Sequence, residues 1–279
     1  MPSPPPIALL TDFGQNDWFV GVMKAVIAGI APEAPIIDIT HGITPGDISS
    51  AAFVLAAARE YFPAETVFCC VVDPGVGTDR RILCVEDGRY VYVAPDNGLL
   101  SMVMGDNPIR ATQGQSGSDR LRVHSAEERK FWLPAPGRTF HGRDIFAPIA
   151  AHLSNGHRPS EFGPAITDPK ITPAVMNSIS ADQSTITGTI IYIDGFGNLI
   201  TSIQFDRVVA EHTRTRPDNW RIELKDHSIA FALSYGSAPR GELIFYSGST
   251  GLIEIAVNMG NAARLTDSHV GDAVRLLLE

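Results

Sequence analysis

The side chains best equipped for chemistry stand at the ends of apolar runs. Val67 to Val72 is followed by Asp73-Pro74-Gly75-Val76-Gly77-Thr78-Asp79-Arg80-Arg81. A β-rich run ending in an acid, a proline and two glycines reads as a buried strand that delivers side chains to a sheet edge. Proline fixes φ and glycine admits close backbone approach, so the loop is stiff and shaped around something small. Asp12, Asp38, His41, Asp47 and Asp96 hold comparable positions, and carboxylates with an imidazole are donors for a hydrolytic metal site. Each of these acids also sits in a turn or cap setting that explains it, and none shows a ligand-pair spacing such as HxxxH. No metal is therefore expected. The loop itself has two readings at this level, because Asp73 before Pro-Gly can simply accept from the amides of its own turn. Arg80 can be a solvated cation, and His141 at a helix entry a packing residue.

The elements that must position these groups alternate. Ile7 to Leu10 reads as a short buried strand. Phe19, Val20, Met23, Val26, Ile27 and Ile30 then fall at helical spacing, with Pro32 ending the helix. Ile36 to Thr40 is a second strand. Thr44-Pro45-Gly46-Asp47 resembles a helix start with Thr44 as N-cap, leading an Ala-rich helix to Tyr61 and Phe62. With Val67 to Val72 as the third strand, the order βαβαβ predicts an α/β domain with a mainly parallel central sheet covered on both faces. Ligands collect beyond the strand C-termini of such sheets, where Asp12, His41 and Asp73 stand. Ile82 to Glu86 and Arg89 to Val93 flank Asp87-Gly88 as a hairpin, and Pro95-Asp96-Asn97-Gly98 opens another helix. Gln113 to Lys130, polar and aperiodic, reads as an exposed excursion; Thr139 to Asp144 leads into a helix through Phe146, Ile149, Ala150 and Leu153.

Three prolines between Phe162 and Pro173 mark a boundary. It gives an α/β domain over residues 1–165, a linker over 166–174 and a smaller all-β, barrel-like domain over 175–279. The last rests on strand-like runs at Gly188 to Asp194, Leu199 to Ile203, Trp220 to Leu224, Leu243 to Tyr246, Leu252 to Val257 and Ala273 to Leu278.

Composition narrows the function. The chain has 279 residues, 44% hydrophobic and 19% charged, with a net charge of −9 and no basic stripe. Nucleic-acid binding is not expected. No stretch approaches a membrane span, and Ile7 to Leu10 is too short for a signal h-region. Cys69, Cys70 and Cys84 read as buried free thiols, which suits a reducing cytoplasm. No GxGxxG follows a strand, and neither GxxxxGK(S/T) nor GxSxG occurs.

Several segments recur together in a fixed order: Thr11 to Gly14, His41 to Pro45, Val72 to Arg81, Ala94 to Leu99, Phe140 to Asp144, Asp194 to Asn198, Ser247 to Gly251 and Glu254 to Ala262. This order and spacing, over nearly the whole chain, resembles the S-adenosyl-L-methionine hydroxide adenosyltransferase family, the water-using relatives of bacterial fluorinase and chlorinase. The resemblance implies attack of water or hydroxide at ribose C5′ of S-adenosyl-L-methionine, giving adenosine and L-methionine without a cofactor.

The same resemblance puts the family's catalytic triad on Asp73, Arg80 and His141. It assigns Asp12 to the ribose hydroxyls, and Asp194 and Asn198 to the amino and carboxylate ends of the methionine part. Phe196 falls near the adenine, Ser249 on the methionine part, and the backbone near Asn258, Met259 and Asn261 on the adenine. It further implies a homotrimer with the site at the subunit interface. The halogenases carry tyrosine where Asp73 stands and serine where Gly142 stands, so the hydrolase pattern is kept here. They also carry arginine where this chain has Thr250, so another group must meet the methionine carboxylate. The alternatives are a same-family halogenase, a metal-dependent hydrolase of another nucleoside, and a non-catalytic S-adenosylmethionine or adenosine sensor.

Overall fold

The computed structural model describes residues 3–105, 121–172, 177–180, 184–213 and 215–278. Contacts divide them into two compact units, the first ending with residue 172 and the second starting at residue 177.

The first unit is a three-layer α/β sandwich. β1 (Ile7–Thr11) and β3 (Val67–Val71) are buried at every position, as apolar central strands must be when both faces are covered. β2 (Ile36–Thr40), β1, β3 and β5 (Val91–Pro95) run parallel in that order, and β4 (Ile82–Glu86) and β6 (Arg122–Ser125) extend the sheet antiparallel. α1 (Phe19–Ile30) turns Met23 and Ile27 onto one face, beside Ile149 and Ala150 of α4 (Ala147–Ser154). α2 (Ile48–Ala58) and α3 (Ser101–Met104) cover the other face through Ala51, Leu55 and Val103. Each such fully buried aliphatic side chain stabilises by about 1.5–3 kcal/mol.

Two local expectations are corrected. The N-cap of α2 is Asp47, not Thr44, with Asp47 Oδ1 accepting from the Ser50 amide at 3.0 Å. Gly46 stands at φ 78°, where the chain reverses, so the helix cannot begin before it. Within the span read as an exposed excursion, Arg122–Ser125 is the edge strand β6, burying Val123 and Ser125 in alternation; residues 113–120 lie outside the described residues. Four residues are too few to register a period. Of the expected linker, residues 173 and 174 lie outside the described residues. The rest is strapped to the first unit: Arg81 pairs with Asp168, and the amides of Lys170 and Thr172 donate to Asp96 and Ser101.

The second unit is a closed barrel. β8 (Thr185–Ile193), β9 (Leu199–Gln204), β13 (Leu252–Val257), β12 (Leu243–Ser247), β11 (His227–Phe231), β10 (Arg221–Leu224) and β14 (Ala273–Leu277) pair in that order, and β14 returns to β8. β7 (Ser178–Ile179) adds to β8 outside the ring. Phe245, Ile253, Ile255 and Val257 alternate inward to a core that holds Trp220, with α5 (Phe205–Glu211) and α6 (Ala262–Thr266) alongside. β11 went unread in the sequence; Lys225 at φ 53° starts the tight turn that pairs Leu224 with His227.

Candidate active site

The loop after β3 folds back so that Arg80 meets Asp73. Arg80 Nε donates to Asp73 Oδ2 at 2.9 Å, and Nη2 donates to the same oxygen. The two side chains are 7% and 4% exposed, and a pair this dry is neutralised by geometry and not by water. Gly77, at φ 80°, lets the loop turn where a Cβ would stand 2.6 Å from the Arg138 carbonyl. The guanidinium lies 5.3 Å over the Phe146 ring. Asp73 Oδ1 is buried and bonded to nothing among the described residues. The loop therefore does not satisfy its own carboxylate, and the self-contained turn reading fails at that atom.

His141 completes the group. It caps a single wide turn, Gly142–Phe146, that runs into α4. Asp144 secures this segment, accepting from the Gly137 amide at 2.8 Å and from Arg143. Arg80 Nη2 lies 2.8 Å from His141 Nδ1. A guanidinium has no lone pair to offer, so Nδ1 accepts and the ring proton sits on Nε2. Burial, then the Arg80 charge, pull the imidazole below its ordinary value, against Asp73, Asp144 and the Gly137 carbonyl. Both effects favour the neutral ring that accepts from Arg80. Phe140, the residue before His141, packs edge to face on both Phe13 and Phe19, with Phe19 and Phe140 centroids 5.1 Å apart. A Cβ on Gly142 would stand 3.1 Å from Phe13 and 3.2 Å from Phe140, so a side chain there requires the rings to give by a few tenths of an ångström.

Asp12 stands one loop away. Its Oδ2 accepts from the Gly46 amide at 2.8 Å, and Gly46 rests against Pro74, the neighbour of Asp73. Thr11 before it is latched to buried His41, Oγ1 to Nδ1 at 2.8 Å, and the His41 carbonyl accepts from Gly14. The remaining strand-end acids have internal partners. Asp38 pairs with Lys24 and His41, Asp47 caps α2, and Asp96 takes Arg81.

In the barrel, the turn from Asp194 to Asn198 is a built object. Asp194 Oδ1 accepts the amides of Phe196 and Asn198, each at 2.9 Å, while Oδ2 accepts Asn198 Nδ2 at 2.9 Å. Gly197, at φ 85°, lies against Asn261, which caps α6; any Cβ there would collide with it. Phe196 and Met259 are 79% and 76% exposed. Ser249 is exposed in the turn between Gly248 and Gly251, whose amide donates back to the Gly248 carbonyl. Asn258 is a strut: its amide, carbonyl and side chain bond to Glu242, Gly241 and Ala238, which leaves Met259 as the open backbone of that turn. Sequence reasoning missed the cluster beside this turn. Tyr246 Oη donates to Glu254 Oε1, cross-strand partners that only the barrel register brings together.

Comparison with known proteins follows the same division. Residues 7–163 match the sequence model of the SAM hydroxide adenosyltransferase N-terminal domain, and residues 188–275 that of its C-terminal domain. A protein of Thermus thermophilus named (R)-S-adenosyl-L-methionine hydrolase is 36% identical over 273 residues, covering 98% of this chain and 99% of that protein. A fluorinase of Actinopolyspora mzabensis is 26% identical, covering 98% of this chain and 97% of its own. The crystal structure of an uncharacterized conserved protein from Thermotoga maritima superposes with a TM-score of 0.85 at 34% identity, over 97% of this chain and 99% of that one.

Proposed function

We propose that this chain, which belongs to the SAM hydroxide adenosyltransferase family, hydrolyses S-adenosyl-L-methionine to adenosine and L-methionine. The observation that carries the reading is Asp73 Oδ1, a buried carboxylate oxygen with no donor among the described residues, beside a paired guanidinium. A carboxylate oxygen in that position can accept from a water molecule and orient it. The relative's name specifies the (R) epimer at sulfur, and the same preference is assigned here.

The chemistry asks little of the protein. As the water oxygen bonds to C5′, the C5′–S bond breaks with its electron pair going to sulfur, and methionine departs as a neutral thioether. The water proton leaves to solvent by way of Asp73. A carboxylate is a far weaker base than hydroxide, so Asp73 orients water and takes up its proton as the new bond forms. Arg80 offers its remaining Nη1 to the water oxygen and stabilises the hydroxide character that it gains as Asp73 draws off the proton. His141, accepting at Nδ1, holds that guanidinium in place. The Asp73 carboxylate and the sulfonium lose charge together as the proton moves and the C5′–S bond breaks, so a dry pocket favours the transition state. Asp12 receives the ribose hydroxyls with the oxygen that Gly46 leaves open. Asp194, Asn198 and Ser249 receive the methionine part, and Phe196 and Met259 the adenine.

No step calls for a metal, and EDTA is expected to leave the rate unchanged. The enzyme is assigned to the cytoplasm, which the three buried unpaired thiols support. A homotrimer completed by the neighbour's barrel is supported by the exposed Phe196 and Met259. Incubation in ¹⁸O-water should place label on the 5′-oxygen of adenosine. Unlabelled adenosine rules out direct attack, and no adenosine at all rules out the enzyme. The halogenase alternative predicts 5′-halo-adenosine at high chloride or fluoride; the rings crowding Gly142 oppose it.

A further inference from the structure

Outside the catalytic loop, the barrel carries a second set of polar groups that its own fold does not satisfy. Glu254 and Tyr246 are register partners on β13 and β12, and their neighbours Ile253, Ile255 and Phe245 point into the core. The pair is therefore on the outer face. Tyr246 Oη occupies Glu254 Oε1. Glu254 Oε2 lies over Gly248, where a Cβ would stand 2.6 Å away, while the bond from Tyr246 goes to the other oxygen. Asn198, 3% exposed, gives its side-chain nitrogen to Asp194 and leaves Oδ1 buried without a partner among the described residues. Asp194 Oδ2 accepts that single bond and has room for a second. Tyr235 lies beside them, its ring 5.3 Å from that of Tyr246 and its hydroxyl within the influence of the Asn198 side chain.

The Asp194 carboxylate is near enough for its charge to act on Glu254, and among the described residues no lysine or arginine pairs with either. Burial, and then the charge of Asp194, lift the Glu254 carboxyl above its ordinary value despite the Tyr246 bond. The set holds three open acceptors flanked by two tyrosines. Its complement is a small cation with three N–H donors, which is an alkylammonium. Asp194 has spent most of its capacity on its own turn, so it cannot do this alone.

We propose that Glu254 is a substrate-binding residue that recognises the α-ammonium of the methionine part, together with Asn198 Oδ1 and Asp194 Oδ2. This rests on the hydrolase reading and deepens it, because it makes the amino group, and not only the sulfonium, a requirement for binding. Gly248 is then glycine so that the carboxylate can lie across it.

The test is Glu254→Gln in the full-length protein, since the amide keeps an acceptor for Tyr246 and the shape of the side chain. Dissociation constants are measured by calorimetry for S-adenosyl-L-methionine and for its analogue lacking the α-amino group, with KM and kcat in parallel. The variant should bind S-adenosyl-L-methionine about tenfold or more weakly, with kcat within about twofold of wild type, and should bind the desamino analogue as wild type does. Equal weakening for both ligands would mean a structural role, and unchanged affinity for both would mean no contact; either overturns the proposal. Because the binding measurement needs no turnover, a wild-type protein that forms no adenosine would sink the hydrolase reading separately.

Discussion

Replacing Asp73 with asparagine tests the reading where it is most exposed. The amide has the same shape, so Arg80 Nε and Nη2 keep an oxygen to donate to. Their two bonds lose their ionic part. A charge-assisted bond contributes about 1.5–3 kcal/mol and a neutral one about 0.5–1.5, so each loses about 1 kcal/mol and the pair about 2. At about 2–4 °C per kcal/mol for a chain of this size, Tm should fall by about 4–8 °C. The chemical effect is larger and has a different cause. With the amide oxygen turned to Arg80, an NH₂ replaces Oδ1, and the one buried acceptor becomes a donor. Water would then be held with its lone pair facing the protein instead of C5′. Loss of an oriented proton acceptor costs about 10²-fold or more in kcat, about 2.7 kcal/mol, with KM little changed. Adenosine formation followed chromatographically at saturating substrate reads kcat directly. A variant that stays folded and turns over near the wild-type rate would refute the argument, and so would one whose KM rises while kcat holds.

Other consequences can be checked with the same assay. Gly75→Ala places a methyl 3.7 Å from Asp73 Oδ1 in a permitted backbone conformation, so Tm should hold within about 1 °C while kcat drops by more than about tenfold; unchanged kcat would mean the space beside Oδ1 is not where water sits. Gly197→Ala combines φ 85° with a collision against Asn261 and should destabilise the barrel by about 2–4 kcal/mol, read as a lowered Tm and raised KM. His141 titrates below its ordinary value of about 6.5, so kcat should be flat above that pH and fall on acidification, as protonation removes the acceptor from Arg80. The unfolded chain takes up this proton first as pH falls, so stability declines over the same window. An acid limb inflecting above about 6.5 would assign His141 the imidazolium role instead.

How much of this was legible in the sequence depended on range. β1, α1, β2, β3 and β13 are continuous apolar or periodic runs, and their bounds follow from punctuation by Pro, Gly and Asp. The Asp73 to Arg80 pairing was legible as a loop of suggestive composition, and became a specific claim only through the order of motifs around it. What escaped were features fixed by distant partners. Asp47 wins the cap from Thr44 because of the backbone at Gly46, and β6 and β11 acquire strand character from neighbours already in place. Glu254 and Tyr246 lie eight residues apart and meet only because the barrel register sets them opposite. The tautomer of His141 is invisible until Arg80 is seen against Nδ1.

The assembly of the triad spans two very different distances along the chain. Asp73 and Arg80 are seven residues apart, whereas His141 reaches them across 61. Closing the short loop costs little entropy, and the long closure must await docking of the segment that Asp144 secures. The ion pair can therefore form early in folding and survive a local opening that lifts His141 away. An intact but idle guanidinium would be the dormant form of this enzyme. Amide exchange in residues 137–146 would report how often the protein visits it.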